Sequence, residues 1–288
     1  FIMYTTRLNA NRGIFLMDYM RQIRCKRLHT EDKVRNISII GVGGVGGYYG
    51  GKLALAYANS KHYKINFVAR GEHFERLKSN GLELITTSGK YVVKPTEVVE
   101  DITALPKQDL IILAIKSYDL KNIISKLKNV MHQETYILPL LNGVNIKDYL
   151  SSNFPQNKII EGCVYISSHL ISPGIVNQSG GSCELLFGSS CIDKSKLNEI
   201  KEIFNNAGIS VSINENMTNI LWQKYLFVCP MACMTVVYSV DKNTILENEK
   251  LLNELRQLIQ EIVIIATKNG IVLPVDAVDS SVNKIKKM

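Results

Sequence analysis

Asn36-Ile-Ser-Ile-Ile-Gly-Val-Gly-Gly-Val-Gly46 decides the fold. Its first five residues form a short β-branched run, as a buried strand does. Gly41, Gly43 and Gly46 then complete a G-x-G-x-x-G, and the Ala/Leu-rich segment Lys52–Asn59 continues as a helix. In a strand–turn–helix setting the three glycines have separate tasks. The first permits a tight turn, the second lets backbone approach a pyrophosphate, and the third lets helix pack on strand. The helix start, with Gly44 and Val45, turns its N–H groups toward the anion. Taken alone, the motif also admits a glycine-rich turn that holds nothing.

Outward from this turn the chain alternates. Lys64–Ala69 reads as a second strand, and Leu82–Thr86 and Tyr91–Lys94 flank Ser88-Gly89 as a hairpin. Asp109–Ile115 is a continuous apolar strand, Ser117–Val130 a helix, and Thr135–Leu141 another buried strand before the turn at Asn142-Gly143. Short strands punctuated by Pro173-Gly174 and Gly180-Gly181 fill Ile159–Gly188. A helix over Lys194–Asn206 and a strand over Ile209–Ile213 follow. Beyond Asn214 the pattern is helical, roughly Met217–Val240 and Asn248–Asn269. The fold class is therefore α/β: a Rossmann-type dinucleotide-binding domain over 36–214, then an all-helical domain over 215–288.

Composition narrows the function. The chain of 288 residues is 46% apolar and 21% charged, as soluble globular proteins are. Tyr225–Val240, the longest charge-free apolar stretch, holds 16 residues and Pro230, short of the about 20 that cross a bilayer. No membrane partner is expected. The net charge is +8, but residues 1–35 contribute eight basic side chains against three acidic ones. With no basic, aromatic-interleaved face in the body, nucleic acid is not an expected partner either. The extension has no secretory pattern; its arginines suit a mitochondrial leader but Asp18, Glu31 and Asp32 do not. It is read as a poorly ordered extension without assigned function. Six cysteines without CxxC spacing read as reduced residues of a cytoplasmic protein, and no metal site is expected.

Four polar residues stand where ligands bind. The second strand ends Phe67-Val68-Ala69-Arg70-Gly71, with no acid until Glu72. A ribose 2′-OH calls for an acid there and a 2′-phosphate for a cation, so Arg70 favours NADPH, unless it only decorates a solvated loop. Lys116 and Asn142 follow apolar strands at their carboxyl ends, either as ordinary turn residues or beside nicotinamide and substrate. Lys224 is the sole charge between Asn219 and Val240. It either snorkels at a helix edge or enters an interdomain cleft, where desolvation would lower its pKa and suit it to general-acid work.

The glycine turn, Arg70, Lys116, the Asn142-Gly143 pair and Leu221-Trp222-Gln223-Lys224 opening a long apolar helix resemble the ketopantoate reductases (2-dehydropantoate 2-reductases) over residues 36–279. The resemblance implies NADPH-dependent reduction of 2-dehydropantoate to (R)-pantoate, a step toward pantothenate and coenzyme A. It implies that Gly41, Gly43 and Gly46 cradle the pyrophosphate and Arg70 the 2′-phosphate. Lys116 and Asn142 would border nicotinamide and substrate, and Lys224 would be the general acid. Two departures stand out. The family commonly places asparagines one and two turns after the lysine; here these are Val228 and Ala232, with Thr235 and Ser239 as weak polar substitutes. The family also continues past a Ser-Ser-Met segment to a late Glu, so the helical domain is read as incomplete at Met288 and weak turnover is expected. Two alternatives stay open: a reductase of another small 2-oxo acid, or a non-catalytic NADPH-binding remnant. The long apolar helices also suggest self-association, as a homodimer.

Overall fold

The structure, a computed structural model, describes residues 35–287. The expected basic extension thus lies outside the described residues except for Arg35, which opens the first strand and pairs with Glu199.

Six parallel strands form the main sheet: β1 (Arg35–Ile40), β2 (Tyr63–Val68), β5 (Glu97–Val99), β6 (Gln108–Leu113), β7 (Met131–Pro139) and β8 (Lys158–Ile159). Their order, β5-β2-β1-β6-β7-β8, reverses direction between β1 and β6. At such a switch point the two adjacent connections leave to opposite faces and a crevice opens at the strands' carboxyl ends. Helix α1 (Gly44–Ala56) leaves from β1, and α2 (Gly71–Asn80) follows β2. A short 3₁₀ turn at Ser117–Asp119 leads from β6 into α3 (Leu120–Val130). Leu120, Ile124, Leu127 and Val130 recur at helical spacing and are buried, so α3 lays one apolar stripe on the sheet.

Two smaller sheets complete this half. The hairpin β3 (Leu82–Thr86) and β4 (Gly89–Val93) is extended by β11 (Ile175–Gly180) and β10 (Ser167–Ser172), in the order β10-β11-β3-β4. The third sheet joins β9 (Glu161–Val164), β12 (Leu185–Gly188) and β13 (Val211–Ile213), with α5 (Lys194–Asn206) before β13. A further helix, α4 (Ile146–Asn153), precedes β8.

Helix α1 lies between the main sheet and the β10-β11-β3-β4 sheet, and its glycines make this possible. A Cβ on Gly50 would press on Ile39 and Phe67 of the main sheet; one on Gly47 would meet Val176 at 2.6 Å, on the other sheet. With both faces covered, the helix needs no polar face. Tyr49 and Leu53 of the helix and Phe67 and Leu84 of the two sheets are fully buried at these contacts, each such side chain contributing about 1.5–3 kcal/mol.

The helical part comprises α6 (Met217–Tyr238), α7 (Lys242–Glu247), α8 (Glu249–Lys268) and α9 (Ala277–Lys287). Side chains of Asn216, Asp241 and Asn248 accept backbone N–H groups at the starts of α6, α7 and α8 and set where each begins. Trp222, Leu226, Phe227 and Met234 of α6 pack with Leu255 and Ile259 of α8 and Val282 and Ile285 of α9. At 22 residues, with an 18-residue window of mean hydropathy 1.5, α6 is long and apolar enough to cross a membrane by length and composition. The sequence reading missed this, since it counted only the charge-free stretch after Lys224. The end of α6 is exposed: Val236 at 77% and Val237 at 74%.

Candidate active site

The four glycines of the turn owe their lack of side chain to different neighbours. Gly41 has φ +90°, and a Cβ there would meet Ile115 and the Ala114 carbonyl of β6's extension within 3 Å. On Gly46 a Cβ would fall 1.9 Å from the Gly41 carbonyl, so this glycine lets α1 dock on the end of β1. Gly44 is held bare by protein as well: a Cβ there would strike the Ser168 carbonyl of β10 at 2.2 Å. Only around Gly43 is there open space, with nothing within 4 Å of its would-be Cβ. The Val45 side chain packs into the core, so what Gly44 and Val45 offer a ligand is backbone. As first-turn residues they carry N–H groups without intrahelical partners, and Gly43 supplies no side-chain cap. Open space at the Gly43 backbone beside N–H groups without intrahelical partners suits a dinucleotide pyrophosphate.

A cleft of about 500 Å³ opens from this turn, lined among others by Gly41, Val42, Arg70, His73, Ile115 and Asp119. Arg70 ends the β2 connection as expected, its side chain 74% exposed and its Nη2 3.1 Å from Asp119 Oδ2. The Gly71 N–H beside it donates to Glu100 at 2.7 Å.

His73 was not singled out from sequence, although it stands only three residues beyond Arg70. Its Nδ1 accepts the Gly174 N–H and its Nε2 lies 2.8 Å from the Val42 carbonyl. The neutral tautomer protonated on Nε2 satisfies both, tying the glycine turn to the β10–β11 connection. Burial pushes its pKa below the ordinary histidine value. The unfolded chain therefore takes up a proton first, and this contribution to stability, complete above about pH 6.5, is lost as pH falls toward the lowered folded value. Urea midpoints should decline below pH 6.5, with a shallower decline in His73→Gln; equal slopes in the two proteins would rule this out.

On the other side stands Lys224, in the second turn of α6. Its Nζ donates to Asn142 Oδ1 at 2.9 Å and to the Val164 carbonyl at 2.8 Å. It also lies 5.7 Å from the Tyr165 ring, which stacks on Phe227 of the same helix. Two of the ammonium's three donors are thus engaged by protein among the described residues. Burial lowers the Lys224 pKa, with the neighbouring Cys163 acting weakly against it. This lysine does not reach outward to solvent but inward, to Asn142, three residues beyond the end of β7. Lys116 stands exposed after β6 and is not drawn into the Lys224–Asn142 contact. The Thr235 hydroxyl donates to the Ala232 carbonyl of its own helix, and Val228 packs into the helical core. The lysine's helix face thus continues without a polar group one and two turns on.

Glu161 is a second residue sequence reasoning missed. It is 7% exposed, its carboxylate receiving Lys147 Nζ at 2.9 Å and the Thr218 hydroxyl at 3.1 Å. The Thr218–Glu161 hydrogen bond anchors the first turn of α6, and with it the lysine six residues on.

The first family model, "Ketopantoate reductase PanE/ApbA", matches residues 37–190, and its C-terminal companion matches 216–288. The chain belongs to the ketopantoate reductase family. Among its relatives is the Bacillus subtilis protein described as uncharacterized oxidoreductase YkpB, 29% identical over 81% of this chain and 75% of that one. The 2-dehydropantoate 2-reductase of Pyrococcus horikoshii is 28% identical over 82% and 74% of the two chains. The crystal structure of 2-dehydropantoate 2-reductase from Porphyromonas gingivalis superposes with TM-score 0.80 at 28% identity, covering 89% of this chain and 90% of that one. This family member is accordingly an oxidoreductase with a Rossmann-like domain and a helical C-terminal region.

Proposed function

We propose that the chain reduces 2-dehydropantoate to (R)-pantoate with NADPH. The observation that carries this is the reach of Lys224 from the helical part to Asn142, at the carboxyl end of the parallel sheet. Gly41, Gly43 and Gly46 would hold the pyrophosphate against the first-turn N–H groups, and Arg70 the 2′-phosphate. Bound there, a reduced nicotinamide supplies the hydride that adds to the ketone carbon. Lys116 and Asn142 would line the substrate. Lys224 meets the ketone oxygen with the donor that protein leaves free. As the C=O electron pair moves onto oxygen, the ammonium stabilises the growing charge and gives up its proton to it. A lysine with a lowered pKa is the better donor, and the amine left behind is reprotonated from solvent.

If Arg70 recognises the 2′-phosphate, Arg70→Ala should weaken NADPH binding about 10–100-fold, the range for a lost charged hydrogen bond, and leave NADH binding nearly unchanged. Equal losses for both nucleotides would contradict that role.

Val228 and Ala232 motivate a second reading, in which the substrate is another small 2-oxo acid that needs no hydrogen bonds from that face. Initial rates for a panel of 2-oxo acids at fixed NADPH separate the two. The first expects 2-dehydropantoate to give the highest kcat/KM, and the second expects another acid to exceed it. Tight NADPH binding with hydride transfer to none of them would refute both, leaving the non-catalytic remnant.

A further inference from the structure

Arg70 is already engaged. Its Nη2 lies 3.1 Å from Asp119 Oδ2, across the mouth of the cleft from the end of β2 to the turn after β6. Asp119 occupies the N-cap position of α3, where an aspartate usually binds the helix's own N–H groups, yet it makes no side-chain cap. Its carboxylate is turned outward to the arginine instead. It so fills the acceptor position that the NADPH reading assigns to the 2′-phosphate.

The other charges lining the cleft do not offset this. Glu100, 2.7 Å from the Gly71 N–H, adds a second carboxylate next to Arg70. The Lys126 ammonium is committed to Asp101 at 2.8 Å. An incoming dianionic phosphate finds each cation with an acid partner. Because Arg70 is exposed, its pair with Asp119 is weak and a phosphate can displace it. The displaced carboxylate nevertheless stays within a few ångströms of the phosphate and repels it. A ribose 2′-hydroxyl suffers no such repulsion.

We propose that Asp119 is a specificity-determining residue: by competing for Arg70 it weakens binding of a 2′-phosphorylated dinucleotide and brings the NADPH and NADH affinities together. This rests on Arg70 being the 2′-phosphate ligand. Calorimetric dissociation constants for NADPH and NADH, measured on the wild-type chain, Asp119→Asn and Arg70→Ala, test it without any catalytic readout. Asp119→Asn should tighten NADPH about tenfold and change NADH less than twofold, and the gain should shrink at high salt. Unchanged or weaker NADPH binding in Asp119→Asn would overturn the proposal, the aspartate then serving to orient the arginine. If Arg70→Ala lowers the preference for NADPH while Asp119→Asn does nothing, this inference alone fails. If Arg70→Ala leaves the ratio untouched, the NADPH reading fails and takes this one with it. Matching melting temperatures for Asp119→Asn and wild type confirm that the comparison is between folded proteins.

Discussion

Lys224→Ala should lower kcat for oxo-acid reduction by about 10²–10⁴-fold and leave the NADPH dissociation constant nearly unchanged. The asymmetry follows from position. The ammonium sits on α6 against Asn142 and the Val164 carbonyl, whereas the glycine turn and Arg70 follow the ends of β1 and β2, across β6 from the end of β7. Removing it strips charge stabilisation and the proton from the reacting oxygen without touching the nucleotide's cradle. Asn142→Ala should show a smaller loss, because it frees one donor of an ammonium that the Val164 carbonyl still holds. A Lys224→Ala protein that turned over at the wild-type rate, or that lost NADPH binding and turnover together, would refute this division of labour.

The second large effect separates two glycines three residues apart. Gly46→Ala would place a methyl group 1.9 Å from the Gly41 carbonyl, which only a shift of α1 away from β1 relieves. Because α1 is packed between two sheets, that shift disturbs both, and a cost near 3 kcal/mol is expected, the upper end for overpacking. Gly43→Ala meets no protein atom within 4 Å, and its backbone, at φ −76°, suits any residue. Its stability should change by less than about 1 kcal/mol, while dinucleotide affinity falls at least about tenfold as the methyl fills the cradle. Denaturant melts and calorimetry on both variants check the pair. A Gly43→Ala protein that bound NADPH normally would show that the space at Gly43 is not where the pyrophosphate lies.

Much of this was legible in the chain itself, where the signal is local. Strand, glycine turn and helix adjoin, so residues 36–56 announce β1 and α1. Lys224 is conspicuous as the lone charge in an apolar helix, and Arg70, Lys116 and Asn142 each follow an apolar strand. What sequence hides is pairing at a distance. β11 runs parallel to β3 although about ninety residues intervene, and nothing in either strand names the other. His73 gains its meaning only from Val42 and Gly174, and Glu161 only from Lys147 and Thr218. Likewise Asp119 looks like a helix cap until the arginine 49 residues earlier is seen beside it. Element edges slipped where polar residues belong to strands: β7 begins at Met131, four residues before the expected start, because His132, Gln133 and Glu134 lie on a partly solvated stretch.

The most direct test of the central claim is the pH dependence of kcat/KM for the oxo acid, in wild type and Lys224→Ala. The proton donor must be charged, so the wild-type rate should fall as pH rises through a pKa lowered by burial below the ordinary lysine value of about 10.4. In Lys224→Ala the residual rate should lack that basic limb. The same limb in both proteins would mean that the proton comes from another group, and the assignment of Lys224 would be wrong.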